Sequence, residues 1–213
     1  MVAAFFLAAG PSPAKVIPLG TVTHAERAHV GQAAASVGTT IYEGDRLSTD
    51  DGGKLRIAAN ATALLLDAQS SLTLFRSLDP QSDIVVELVS GTLVFSATPS
   101  ANLVVMADDA SVRPVGKGST ITHVRVVNAK ELRIFTQQGP VTFSYHGDSE
   151  VIPEGKAYRV FLDPPKKDAG LGSDQGTKPP GTHPRTFLLV AIIITAGIAI
   201  PVAIHTLESP DRP

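Results

Sequence analysis

The sequence holds no cysteine and no tryptophan, and only three tyrosines among 213 residues. Without cysteine there are no disulfides, thiolate zinc sites, iron–sulfur clusters or cysteine nucleophiles. Few aromatics argue against a stacked carbohydrate platform, for which Tyr42, Tyr145 and Tyr158 are the only amphipathic candidates. Eighteen basic residues against twenty acidic ones give a net charge of −2, and no basic footprint for nucleic acid follows. Charged residues make up 18% of the chain, below the roughly 25% of ordinary soluble domains. The length suits one sizeable domain plus attachments.

The shortfall in charge has a visible source. Phe187 to Ile204 reads FLLVAIIITAGIAIPVAI, eighteen residues without an ionisable group. As a helix it would rise about 27 Å, close to the ~30 Å hydrocarbon core of a bilayer, so a single transmembrane helix over 186–207 is expected. Two rules then conflict on orientation. Lys166, Lys167, Lys178 and Arg185 precede the segment and only Arg212 follows it, which favours a cytoplasmic N-terminal domain in a tail-anchored chain. The opening MVAAFFLAAG followed by Pro-Ser-Pro-Ala resembles a secretory signal ending at Ala14, although it lacks a basic start. A domain committed to export crosses regardless of local charge, so the reading leans to an extracytoplasmic, periplasmic domain.

From Val16 to Asp163 no 3.6-residue apolar stripe occurs. Short alternating or β-branched runs recur instead, at Leu55–Ile57, Ala63–Leu66, Leu72–Phe75, Ile84–Val89, Thr92–Ser96, Leu103–Met106, Ile121–Val127, Leu132–Phe135, Val141–Tyr145 and Tyr158–Leu162. That pattern predicts an all-β fold, a solenoid-like or sandwich-like stack of short strands. Asp50-Asp51-Gly52-Gly53 reads as a tight turn, and Gly31–Gly38 as a loop or short helical turn. LVSGTLVFS at 88–96 is echoed by TQQGPVTFS at 136–144, an offset of 48 residues. Residues 164–185 are rich in Lys, Gly and Pro and read as a linker. The organisation is thus a truncated signal-like segment at 1–14, a β domain at 16–163, the linker, the expected helix and a tail at 208–213.

Gly38-Thr-Thr-Ile-Tyr-Glu-Gly-Asp-Arg-Leu-Ser-Thr49, Gly53–Ile57, Leu64–Asp67 and Ser70–Leu74 follow one another in an order that resembles the FecR domain family. Val86–Phe95, Val115-Gly116, Thr136–Val141 and Val151–Lys156 continue the resemblance, which covers about Gly20 to Leu162. It implies an extracytoplasmic β-domain for binding or assembly in a bacterial envelope. Transducers of that family place a cytoplasmic anti-sigma region and a membrane helix ahead of the domain, whereas here the apolar segment follows it. The reading is therefore a membrane-anchored, non-catalytic binding or scaffold module, with a regulatory transducer acting through a separate cytoplasmic partner as the alternative. Its expected partners are the lipid bilayer, through residues 187–204, and an envelope protein or polymer.

No catalytic, cofactor or metal site is assigned. His24, His29, His123, His146, His183 and His205 fit no metal-ligand spacing and read as surface or turn residues. Val115–Thr120 misses the spacing of a phosphate loop and reads as a polar hairpin turn. Asp50-Asp51, Asp79–Asp83 and Asp108-Asp109 lack the calcium-loop pattern and read as solvated turns. Asp45 reads as a turn residue accepting backbone N–H groups. Gly197, with Ala196 and Ala199, offers weak small-residue packing for a helix partner.

Overall fold

The computed structural model describes residues 18–77, 84–163 and 186–192. Every regular element among them is a strand: β1 (Pro18–Val30), β2 (Ala33–Ala34), β3 (Thr40–Tyr42), β4 (Arg46–Ala59), β5 (Thr62–Leu66), β6 (Ser71–Arg76), β7 (Ile84–Ala97), β8 (Leu103–Ala107), β9 (Ala110–Pro114), β10 (Thr120–Asn128), β11 (Glu131–Gln138), β12 (Val141–Tyr145), β13 (Asp148–Ile152), β14 (Lys156–Leu162) and β15 (Phe187–Ile192). The all-β reading holds for these residues. They form one continuous sheet, antiparallel except where β7 and β8 run side by side.

Long strands that change partners part-way double this sheet over. Residues 84–87 of β7 lie between β6 and β8, while residues 93–97 lie between β5 and β10. In the same way β4 pairs first with β6 and then with β5. Two half-sheets result. Sheet A runs through β6, the start of β7, β8, β9, β12 and β13; sheet B runs through β5, the end of β7, β10, β11, β14 and β15. Their inward residues share one hydrophobic cluster, with Leu47, Leu55, Leu64, Leu72, Leu93, Phe95 and Phe143 at 0% exposure. Each such side chain contributes roughly 1.5–3 kcal/mol by leaving water.

Strand switching of this kind needs corners, and glycine supplies two of them. Gly91 sits at φ +82° where β7 passes from sheet A to sheet B, and Gly139 at φ +66° where β11 in sheet B leads to β12 in sheet A. These are the glycines of the 48-residue echo, which marks a repeated corner. Buried hydroxyls staple the same places. Thr49 Oγ1 donates to the Asp67 carbonyl and accepts from Ser70 N at 3.0 Å, and Thr136 Oγ1 donates to Lys156 O at 3.1 Å.

Several expectations change. Asp50–Gly53 is a bulge inside β4, where the register with β1 jumps from Glu26↔Lys54 to Ala28↔Thr49, so four residues of β4 are set against the single Arg27 of β1. Val115–Thr120 joins β9 in sheet A to β10 in sheet B and is a crossover, since neither strand pairs with the other. Gly31–Gly38 makes a turn and the short β2, paired back on β1. Gly44 has φ +83°, and Asp45 Oδ2 accepts the N–H of Tyr42 at 2.8 Å, the turn chemistry expected of that pair.

The largest correction concerns the apolar C-terminal run. Phe187–Ile192 is an edge strand, antiparallel to β14 from Leu162↔Phe187 to Ala157↔Ile192. Phe187 is buried and meets Phe143 edge-on, ring centroids 4.9 Å apart. A continuous apolar run carries no period that separates a strand from a helix, and here pairing with β14 decides. No helix among the described residues is long and apolar enough to cross a membrane. The remainder of the expected span, 193–204, lies outside the described residues.

Two predictions follow from buried polar groups. Thr122 Oγ1 is fully buried with no hydrogen-bond partner among the described residues. Thr122→Val should therefore stabilise the protein by about 1 kcal/mol, read as a higher urea midpoint at unchanged slope. The Tyr145 phenol is pushed up to about 12 by burial and by its 2.8 Å hydrogen bond to Asp163 Oδ2. The fold holds the neutral phenol, so this contribution is intact below the ordinary value near 10 and is lost as pH rises towards 12. The Tm should fall across that window, and less steeply in Tyr145→Phe.

Candidate functional site

The two outer faces of the doubled sheet differ in chemistry. On sheet A, cross-strand neighbours follow the line Arg46–Thr73–Glu87–Met106–Ser111–Ser144–Ser149, which is largely polar. On sheet B, Leu65, Val94, His123, Phe135, Ala157 and Ile192 stand side by side from β5 to β15. The strands carrying them read Leu64-Leu65-Leu66, Leu93-Val94-Phe95 and Ile134-Phe135, apolar on both faces. Such runs are the habit of sheets covered on both sides.

The adjacent outward line on sheet B is Thr92–Arg125–Arg133–Arg159–Val190. It places three guanidinium side chains directly opposite one another on β10, β11 and β14. Like charges in facing cross-strand positions are destabilising. A single carboxylate offsets them: Glu131 accepts from Arg159 Nε at 2.8 Å and Nη2 at 3.0 Å, and from Arg133 Nε at 3.5 Å. This fork holds the Glu131 carboxyl below its ordinary range, the Arg159 hydrogen bonds being the main cause, and raises Arg159 in return. Arg125 has no hydrogen bond or ion pair to a described residue and is exposed. Beyond the row lie Phe161, with the Arg159 guanidinium 5.1 Å from its ring centroid, and Leu188, 50% exposed. Val127 and Val190 are also exposed, at 39% and 41%. The face is thus a basic stripe between two apolar margins.

His123 belongs to the inner margin. Its Nε2 lies 3.3 Å from Gln137 Oε1 and its ring 5.5 Å from that of Phe135. Burial lowers its pKa, against the opposing pull of Gln137, so it is neutral at neutral pH. The other described histidines stand apart. His29 is 3.7 Å from Asp50, His146 is 3.3 Å from Asp109, and His24 lies on β1; His183 and His205 are outside the described residues, as is Asp79–Asp83. No three His, Asp or Glu side chains among the described residues gather to hold a metal ion.

The arginine row was invisible as a group in the sequence, because its members lie far apart and only register brings them together. A signal existed in each strand: Val124-Arg125-Val126, Leu132-Arg133-Ile134 and Tyr158-Arg159-Val160 all put an arginine between two inward-facing residues.

No protein-family model matches this chain, and no curated protein does. The FecR-domain resemblance accordingly stands on the residues that carry it. Among solved structures, the chain is similar to two crystal structures, at 1.65 and 2.50 Å, of a protein of Parabacteroides distasonis ATCC 8503 described provisionally as an anti-sigma factor. The TM-scores are 0.46 and 0.45, with 14% and 16% identity over 55% of this chain. The aligned part spans 54% of those chains, about half their length.

Proposed function

We propose that this chain is a non-catalytic binding module of the bacterial envelope, and that it docks a protein partner on the outer face of sheet B. The observation that carries the proposal is the stripe Arg125–Arg133–Arg159 set between apolar margins on a sheet face that no described element covers. The fitting partner presents carboxylates flanked by Leu, Ile or Val. Self-association face to face is disfavoured, since it would bring one arginine row against another. An extracytoplasmic location belongs to the proposal and is supported by the signal-like opening residues. The relay reading needs helix pairing around Gly197, outside the described residues, and no geometry here favours it.

Site-specific photo-crosslinking in the full chain tests the proposal. A photoreactive residue at position 92, beside Arg125, should yield adducts to a protein stretch that combines Asp or Glu with aliphatic residues. One at position 144, on the opposite face, should not. Protein adducts from 144 alone, or lipid adducts from 92, would overturn it.

A further inference from the structure

A second feature lies on the other side of the fold, where β4, β6 and β7 begin or bend. Ser48, Ser71 and Ser90 are cross-strand neighbours on the outside of sheet A. With Gln32, Arg46 and Gln69 they line a groove of about 570 Å³. Among the described residues no carboxylate lines it, and Arg46 is its one charged group.

The groove is built on a fixed floor. Ser70 Oγ accepts from Thr92 N at 2.8 Å and donates to Ala68 O at 3.2 Å, while Ser70 N is bonded to Thr49 Oγ1. Gln69 is held at φ +53°, a conformation seldom adopted by side chains with a Cβ, with its N–H on the Asp50 carbonyl at 3.1 Å. Gly31 N donates to Arg46 O at 2.7 Å and ties the rim to β4.

Over this floor the donors are unspent. Arg46 Nε donates to Ser71 Oγ at 3.1 Å, which orients the guanidinium and leaves its two Nη groups without a partner among the described residues. Ser71 accepts that bond, so its own proton is left to donate. The side chains of Gln32, Ser48, Gln69 and Ser90 have no partner among the described residues either. A guanidinium fork backed by hydroxyl and amide donors is the chemistry that recognises an oxyanion. The polar walls exclude an apolar ligand, which would leave these groups unpaired.

We infer that this groove binds a small polar molecule through a carboxylate or phosphate group, with Arg46 as the fork and Ser48, Ser71 and Ser90 as supporting donors. This inference is independent of the sheet B face. The test is a ¹H–¹⁵N correlation titration of the full chain with inorganic phosphate and, separately, with acetate at millimolar concentrations. The expected result is saturable shifts confined to amides at 31–32, 46–49, 69–71 and 90, from one or both probes. Phosphate alone assigns a tetrahedral oxyanion, acetate alone a planar one. Arg46→Met should weaken the response about tenfold or more at unchanged Tm, and Arg46→Lys, which keeps the charge but loses the fork, should weaken it less. No saturable shift from either probe, equal titration of Arg46→Met, or shifts mapping instead to Arg125, Arg133 and Arg159 would overturn the inference.

Discussion

Gly91→Ala should destabilise this protein by more than about 3 kcal/mol, a large fraction of the roughly 5–15 kcal/mol that holds an ordinary domain folded. Two costs add at this corner. The residue sits at φ +82°, where a Cβ costs about 1–2 kcal/mol by itself. A Cβ there would also lie 2.5 Å from Ser70 Cα and 2.6 Å from Gln69 O, backbone atoms that move only if β5, β6 and β7 separate. Gly147 makes the control: its φ is +88° but a Cβ would meet nothing within 4 Å, so Gly147→Ala should cost only about 1 kcal/mol. Gly139, with Ser119 O at 2.8 Å, should fall between them. Urea unfolding of the three variants checks the order. Equal losses at positions 91 and 147 would mean that backbone conformation, and not the tight corner between the half-sheets, is what Gly91 provides.

Phe143→Ala should cost about 3–5 kcal/mol. Phe143 is at 0% exposure on β12 in sheet A and packs edge-on against Phe187 on β15 in sheet B, so the substitution opens a cavity and removes the aromatic contact between the half-sheets. The effect should be local as well as global. Amides of β15 should exchange faster in Phe143→Leu, which keeps most of the volume, while those of β10 and β11 keep their protection. Unchanged exchange in β15 would show that pairing with β14 alone holds the edge strand.

The parts of the fold that were legible in sequence are those where alternation is unbroken. Leu72-Thr73-Leu74 and Val141-Thr142-Phe143 declare one inward and one outward face, and both are strands with that burial. β1 escaped notice because bulges at Val22/His24 and Glu26/Ala28 break its period, leaving only Leu19, Val22 and Ala28 buried in a segment rich in His, Arg and Glu. β13 escaped because its edge position leaves Val151 exposed and only Ile152 buried. Phe187–Ile192 misled for the opposite reason: apolar on every position, it carries no period at all, and its strand state is fixed by its partner β14. The docking face is the product of register. Arg125, Arg133 and Arg159 meet because β10, β11 and β14 are adjacent, and nothing local in any one strand states that adjacency.

The most direct test of the docking face is a titration of the full chain with a synthetic amphipathic peptide that carries a stripe of glutamates flanked by leucines. A lysine-striped counterpart and vesicles of anionic lipid serve as competing surfaces, and Arg125→Glu and Arg133→Gln serve as variants. Arg125 is chosen because it supports no described internal bond, so its reversal leaves the Glu131 fork in place. Saturable binding of the glutamate peptide alone is expected, weakened about tenfold or more by Arg125→Glu and declining with added salt. Equal binding of the two peptides, preference for the vesicles, or no loss in Arg125→Glu would contradict it.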